Sequence, residues 1–283
     1  MYSVMDEQKK EVYNPKNKIV SDEEICQFLK NNGLNETPND YSYYKLAFVH
    51  KSYSRLDVPK DIKTNDPAKK AIPLQSQSNE RIEFLGDAIL GVVIARYLYE
   101  RFPDSDEGFL TKMRTKLVNG EMLAHLARKI GFPEFCIMSK HVDDVHNGRD
   151  NKHILEDAFE SFCGAIFTDF NEQDDDWFSG KGYTATEKWI TNIIEEQLDW
   201  TELILLETNF KDQLLKYYQH NFNITPTFSP NKEPEILQDN GKTLFQMDVV
   251  NDKGKILGTG TGATKKKGEQ EASKNALKKI GVL

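Results

Sequence analysis

The stretch NERIEFLGDAIL, residues 79–90, sets three carboxylates at positions i, i+3 and i+7: Glu80, Glu83 and Asp87. In a helix these spacings put all three on one face. Their neighbours Ile82, Phe84, Leu85 and Ile89 are apolar, so the helix is expected to be largely buried. A second stretch, ILEDAFESFCGAIF over 154–167, repeats the device, with Asp157 and Glu160 at i and i+3 among Ile154, Leu155, Phe159 and Phe162. On an ordinary helix such acids form a solvated face, and like charges three or four residues apart are mildly destabilising. Acids grouped in two apolar helices are costlier, because buried carboxylates need a neutralising cation. If the two helices pack side by side, Glu83, Asp87, Asp157 and Glu160 converge. They then make the oxygen-rich site that Mg²⁺ prefers, with waters completing its octahedron. A metal so held activates water and stabilises charge on a phosphoryl group. The spacing therefore points to metal-dependent phosphoryl-transfer chemistry.

Outward from these helices the pattern stays helical from Ser21 to about residue 200. SDEEICQFLKNNG (21–33) offers Ser21 as a cap, acids in the first turn and Gly33 as a stop. Asn79 is a suitable N-cap, and Ile82, Leu85, Ile89, Val92, Val93 and Tyr97 recur at helical spacing until Pro103. Residues 1–20 are expected to be a disordered extension, and 58–78, with Pro59, Pro67 and Pro73, a long polar loop. No alternating pattern precedes about residue 205, so 21–200 is expected to be an all-α domain. Thereafter NFKDQLLKYYQHNF (209–222) reads as an amphipathic helix. PTFSP (226–230), KTLFQMDVV (242–250) and KILGTGTGA (255–263) read as strands, and TKKKGEQEASKNALKKIG (264–281) as a closing helix. The turn signals are Asp239-Asn240-Gly241 and Asp252-Lys253-Gly254. The chain is thus multidomain, with an α-β-β-β-α module over 207–283.

Charge divides along the same line. The chain carries −8 overall, but Glu207–Leu283 holds 12 Lys against 9 Asp and Glu, about +3, which leaves about −11 for the rest. Phosphate binding and metal binding want opposite signs, and here they are separated. With 38 % hydrophobic and 29 % charged residues the composition is that of a soluble globular protein. No apolar run approaches the ~18 residues a membrane span needs, and the N-terminus lacks a signal-peptide core. Cys26, Cys136 and Cys163 fit neither a zinc spacing nor a disulfide framework. An intracellular, cytoplasmic location is expected, with the nucleus also open.

NERIEFLGDAIL resembles the signature helix of the ribonuclease III family, and LEDAFESFCGAIF (155–167) resembles its second acidic motif. FPDSDEGFLTKMRTKLV (102–118) resembles the segment between them, and LAFVHKSYS (46–54) the His-x-Ser-Tyr segment upstream. The order and separations fit over residues 21–200. The resemblance implies that Glu83, Asp87, Asp157 and Glu160 hold Mg²⁺, with Mn²⁺ able to substitute. It makes Asp87 and Glu160 the two acids catalysis cannot lose, and Glu80 and Glu107 auxiliary acids, Glu107 near the RNA. It further implies a homodimer in which each subunit cuts one strand of double-stranded RNA, leaving staggered ends with 3′ overhangs. Phe84, on the signature helix but off its acidic face, is the expected dimer contact; the alternative is core packing. The long loop after His50-Lys51-Ser52 departs from compact bacterial members. His50, His141, His146 and His153 are assigned no chemistry, because water activation by Mg²⁺ does not require imidazole, and Cys163 is expected to pack.

Residues 207–283 resemble a double-stranded-RNA-binding domain, by element order and by LGTGTGATKKKGEQEASKNAL (257–277). Gly258, Gly260 and Gly262 allow a tight approach. Thr264 caps the last helix, and Lys265, Lys266 and Lys267 sit at its N-terminus, where the macrodipole disfavours cations but welcomes phosphate. Lys242 is a further candidate for phosphate contact. Leu215 and Lys216 stand where the family often has Gln or Glu, and Asp239-Asn240-Gly241-Lys242 where it often has Gly-Pro-x-His, so weaker RNA affinity is expected. The function expected is Mg²⁺-dependent cleavage of double-stranded RNA in RNA processing or degradation. The competing reading is a non-catalytic RNA-binding protein with a degenerate nuclease fold, against which stand the acids kept at all four positions.

Overall fold

A capping box opens the first helix: the Ser21 hydroxyl accepts the Glu24 N–H, and the Glu24 carboxylate accepts the Ser21 N–H. This is α1 (Asp22–Asn31) of a computed structural model that describes residues 12–56, 71–171, 180–205, 209–231, 235–236 and 243–283. The chain divides into two units, Met1–Leu203 and Ile204–Leu283. In the first, α2 (Tyr41–Ala47) starts where the buried Asp169 carboxylate accepts the Asn39 and Asp40 N–H groups and the Tyr44 hydroxyl. Then follow α3 (Glu80–Arg101), α4 (Glu107–Leu117), α5 (Gly120–Lys129), α6 (Lys140–His146), α7 (Lys152–Asn171), α8 (Lys181–Gln197) and α9 (Trp200–Leu205), within which the division at Leu203 falls. Among the described residues no strand precedes Thr227, as the helical periodicity implies.

Helix α7 is the axis of this unit. Leu155, Phe159, Phe162, Cys163 and Ile166 bury it on most sides, with α2, α3, α5 and α8 packed around it. Phe28, Phe48, Phe132, Phe162 and Trp189 interlock at its middle, with Phe132 and Phe162 centroids 5.0 Å apart and Phe162 and Trp189 5.1 Å apart. Helices α3 and α7 touch backbone to backbone. A Cβ on Gly86 would lie 1.8 Å from the Glu160 carbonyl oxygen, and one on Gly164 2.4 Å from that of Ile82. The two glycines thus let the acidic helices approach closely, which packs one acid set beside the other.

Three expectations need correction. Residues 12–20 are not a loose extension. Asn17 exchanges two hydrogen bonds with the Met138 backbone, at 2.8 and 3.2 Å, and Asn14 donates to Asp143. Val12 and Tyr13 pack against Val49, Tyr53, Leu74 and Ile137. A polar composition hid a segment that satisfies its amides against the body. Residues 1–11 and 57–70 lie outside the described residues, but the end of the expected polar loop also packs, through Ile72 and Leu74. Asn79 stands at the start of α3, yet its side chain donates to the Ala47 carbonyl at 3.1 Å instead of capping.

The second unit runs α10 (Phe210–Phe222), β1 (Thr227–Pro230), β2 (Glu235–Ile236), β3 (Thr243–Val250), β4 (Ile256–Gly262) and α11 (Lys265–Lys279). Both β1 and β2 pair antiparallel with β3, at its two ends, so they read as one interrupted strand; β4 pairs with β3 in turn. The α-β-β-β-α order therefore stands. Leu214, Tyr218, Val249, Ala272, Ala276 and Leu277 form the core. Gly258, Gly260 and Gly262 permit the close approach of β4 to α11, where a Cβ on Gly260 would come 2.1 Å from the Ala272 nitrogen.

Candidate active site and nucleic-acid interface

The acidic faces of α3 and α7 meet in one open cleft of about 410 Å³, lined by His50, Lys51, Asn79, Glu80, Glu83, Phe84, Asp87, Asp157 and Glu160. All four acids that the motifs single out are there, with Glu80 at the rim. Glu160 is only 8 % exposed. Burial, then the charges of Asp87, Glu156, Glu83 and Asp157, push its carboxyl up to about 8. Glu83 is raised to about 7 by burial and by Asp157 and Glu80, and Asp157 to about 6 by burial and by Glu156. Lys51 opposes both shifts, but its ammonium bonds Glu80 at 3.0 Å and neutralises none of the other four directly. Among the described residues the cleft is therefore short of positive charge.

Among the described residues no three potential ligands form a ready-made cage for an ion. A hard divalent cation that keeps several waters and takes one or two carboxylates directly does not need one. The donor set is all oxygen, which suits Mg²⁺ or Mn²⁺ and not a thiophilic metal. Glu156 escaped the sequence reading. It lies beside Gly120 and 3.4 Å from His153 Nδ1, adding charge to the site without lining it. Glu107, on α4, does not line the cleft, and its carboxylate accepts from the Thr111 hydroxyl at 2.8 Å.

Phe84 is 81 % exposed, so core packing is excluded. With Ala88, Val92 and Tyr99 it forms an exposed apolar stripe along α3. In the second unit the Thr264 hydroxyl accepts the Lys267 N–H at 3.2 Å, which opens α11 with Lys265, Lys266 and Lys267 all exposed. Lys242 lies outside the described residues. Leu215 and Lys216 face an open depression on α10 with Gln219, His220 and Thr225, and Lys216 pairs with Asp212 at 2.8 Å. No helix among the described residues is long and apolar enough to cross a membrane.

Comparison with known proteins agrees on both units. The family model for the Ribonuclease III domain matches residues 80–171, and that for the Double-stranded RNA binding motif residues 210–280. A probable ribonuclease 3 of Acanthamoeba polyphaga mimivirus is 31 % identical over 282 residues, covering 96 % of this chain and 48 % of that protein, so the chain spans about half its length. The ribonuclease 3 of Lactococcus lactis subsp. cremoris is 34 % identical over 243 residues, 85 % of this chain and 90 % of that one. Among solved structures, a ribonuclease III nuclease domain from Campylobacter jejuni, described for flexibility in a region involved in dimer formation, is 28 % identical. It covers 63 % of this chain and 99 % of that one, with a TM-score of 0.47.

Proposed function

Because the chain belongs to the ribonuclease III family of endoribonucleases, we propose that it is a Mg²⁺-dependent, homodimeric enzyme that cuts both strands of double-stranded RNA and leaves 3′ overhangs. The observation that carries this reading is the convergence of acids from α3 and α7 in one cleft, without a matching cation among the described residues. Glu83, Asp87, Asp157 and Glu160 would hold the ion, which supplies an activated water and charge for the phosphoryl oxygens. Phe84 and Lys51 flank the acids at the cleft wall. The test is long double-stranded RNA incubated with Mg²⁺ and with EDTA, followed by end mapping. Cutting with two-strand stagger in Mg²⁺ alone supports it. Binding without cutting in either Mg²⁺ or Mn²⁺ would leave the non-catalytic reading.

The raised carboxyls fix the sign of a pH effect. Their folded pKa values, about 6 to 8, exceed the unfolded ones near 4. The stability they contribute is complete below about pH 4 and is lost as pH rises through 6 to 8. In EDTA the melting temperature should therefore fall from pH 5 to pH 8.5. Mg²⁺ should raise it more at the high end, because the ion takes ionised carboxylates. Scanning calorimetry with and without Mg²⁺ checks this, and a Mg²⁺ effect that is largest at pH 5 would exclude these acids as ligands.

The stripe headed by Phe84 supports two-fold self-association, since an isologous pair buries the same patch twice. Phe84→Glu should convert a micromolar dimer to a monomer by light scattering, without lowering the melting temperature of the monomer. A Phe84→Glu dimer would place the contact elsewhere.

The second unit supplies affinity. Lys265, Lys266 and Lys267 form an exposed basic cluster at a helix N-terminus, suited to phosphates along an A-form duplex. Replacing all three by Ala should weaken duplex binding for every sequence alike and lower the log–log salt slope by roughly 1 per lost phosphate contact. An unchanged slope in a filter-binding titration would move the RNA contact to another surface.

A further inference from the structure

The turn that carries Lys51 is braced from several sides. His50 caps it, accepting the Ser52 N–H on Nδ1 at 3.2 Å and bonding the Ser52 hydroxyl at 2.8 Å. That hydroxyl also accepts the Ser139 N–H at 3.0 Å. The His50 N–H donates to the Ile137 carbonyl at 2.9 Å, and the Asn79 N–H to the Val49 carbonyl at 2.8 Å. Behind the turn Val49, Tyr53, Leu74 and Ile137 make a small core of their own. The Lys51 backbone is thus fixed relative to the start of α3, whereas its side chain is 59 % exposed.

This side chain reaches the mouth of the acid cleft and donates to Glu80 Oε1 at 3.0 Å. An exposed Lys–Glu pair contributes little to stability, so the bracing does not serve the pair. Among the described residues that line the cleft Lys51 is the one lysine, and five others are carboxylates. An RNA strand entering this cleft brings a negative charge with each phosphate. The acids, once they hold metal, cannot donate a hydrogen bond to the neighbouring phosphate oxygens. A flexible ammonium with three donors on a fixed backbone can.

Resting on the nuclease reading above, we propose that Lys51 is a substrate-contacting residue, whose ammonium swings from Glu80 to a non-bridging phosphate oxygen of the RNA strand entering the acid cleft. No covalent step is involved; one charge-assisted hydrogen bond replaces another.

The test uses the full chain with Lys51→Ala and Lys51→Arg. Cleavage kinetics are measured across Mg²⁺ concentrations, and duplex binding across salt with Ca²⁺ replacing Mg²⁺. Lys51→Ala should lower kcat/KM about ten- to a hundred-fold, the range of one lost charge-assisted hydrogen bond. It should reduce the salt slope of binding by about 1. Lys51→Arg should recover most of both, and the Mg²⁺ concentration for half-maximal rate should stay put. The proposal is overturned if Lys51→Ala leaves kcat/KM and the salt slope unchanged. It is equally overturned if the sole change is a lower Mg²⁺ requirement, which would make Lys51 a counter-ion of the acids, or if both variants simply melt early. A wild-type chain that binds duplex without cutting it sinks the nuclease reading, and the salt slope still decides the Lys51 contact.

Discussion

Glu160→Gln and Asp87→Ala are each expected to lower cleavage of long double-stranded RNA by about 10³-fold or more, with duplex affinity nearly unchanged. Glu160 is the most buried of the four acids, and the first charge pressing on it is that of Asp87. Glu160 therefore gains most from a cation and loses most without one, and Asp87 is the acid whose charge bears on it first. The Gln substitution keeps the volume and removes the charge, so it separates chemistry from packing. In EDTA at pH 8.5 the Glu160→Gln protein should melt higher than the wild type, because an ionised, unpaired carboxylate has left a buried position. Activity and stability thus move in opposite directions, which general misfolding cannot imitate. Cleavage, gel shift and thermal unfolding in parallel decide it, and near-wild-type cutting by either variant would take that acid out of the mechanism.

Gly86→Ala should come next in effect. Its Cβ would meet the Glu160 carbonyl oxygen at 1.8 Å and the Gly164 nitrogen at 2.9 Å. Both are backbone atoms of α7, so no side chain can rotate away and the helices must part. Overpacking of this kind costs about 1–3 kcal/mol. The displaced residue is Glu160 itself, so α7 carries its acids away from Glu83 and Asp87. A shift of about 1 Å is enough to cost on the order of 10²-fold in rate. Gly164→Ala, facing the Ile82 carbonyl at 2.4 Å, should act in the same direction. Urea unfolding and cleavage rates are the measurements. A Gly86→Ala protein with normal stability and rate would mean that α3 and α7 do not meet at this point.

The acids were legible because helical periodicity is written directly in spacing: Glu80, Glu83 and Asp87 could share a face in no other regular structure, and apolar neighbours announced burial. The same reasoning failed where a residue's role depends on a partner far along the chain. Gly86 and Gly164 look like weaknesses in two helices until their backbones are seen to touch. Asn79 has the composition of a cap, but a carbonyl 32 residues upstream claims its amide. Asn14 and Asn17 read as loop residues, yet they pair with Asp143 and Met138. Strand β2 is two residues long, below what alternation can signal. Lys51 sat inside a quoted motif without a role, because the cleft it borders is assembled from segments about 30 and 106 residues further on.

The aromatic interior of the first unit has a practical use. Trp177, Trp189 and Trp200 are the chain's three tryptophans, and all precede Ile204. Trp189 is fully buried among Phe132, Phe159 and Phe162, and the Arg101 guanidinium lies 4.5 Å over the Trp200 ring. Tryptophan emission is thus a private channel for the nuclease unit, whereas far-ultraviolet circular dichroism sums both. Melting curves from the two signals that coincide would mean one cooperative system; curves that part company would assign each transition to its unit from a single unlabelled sample.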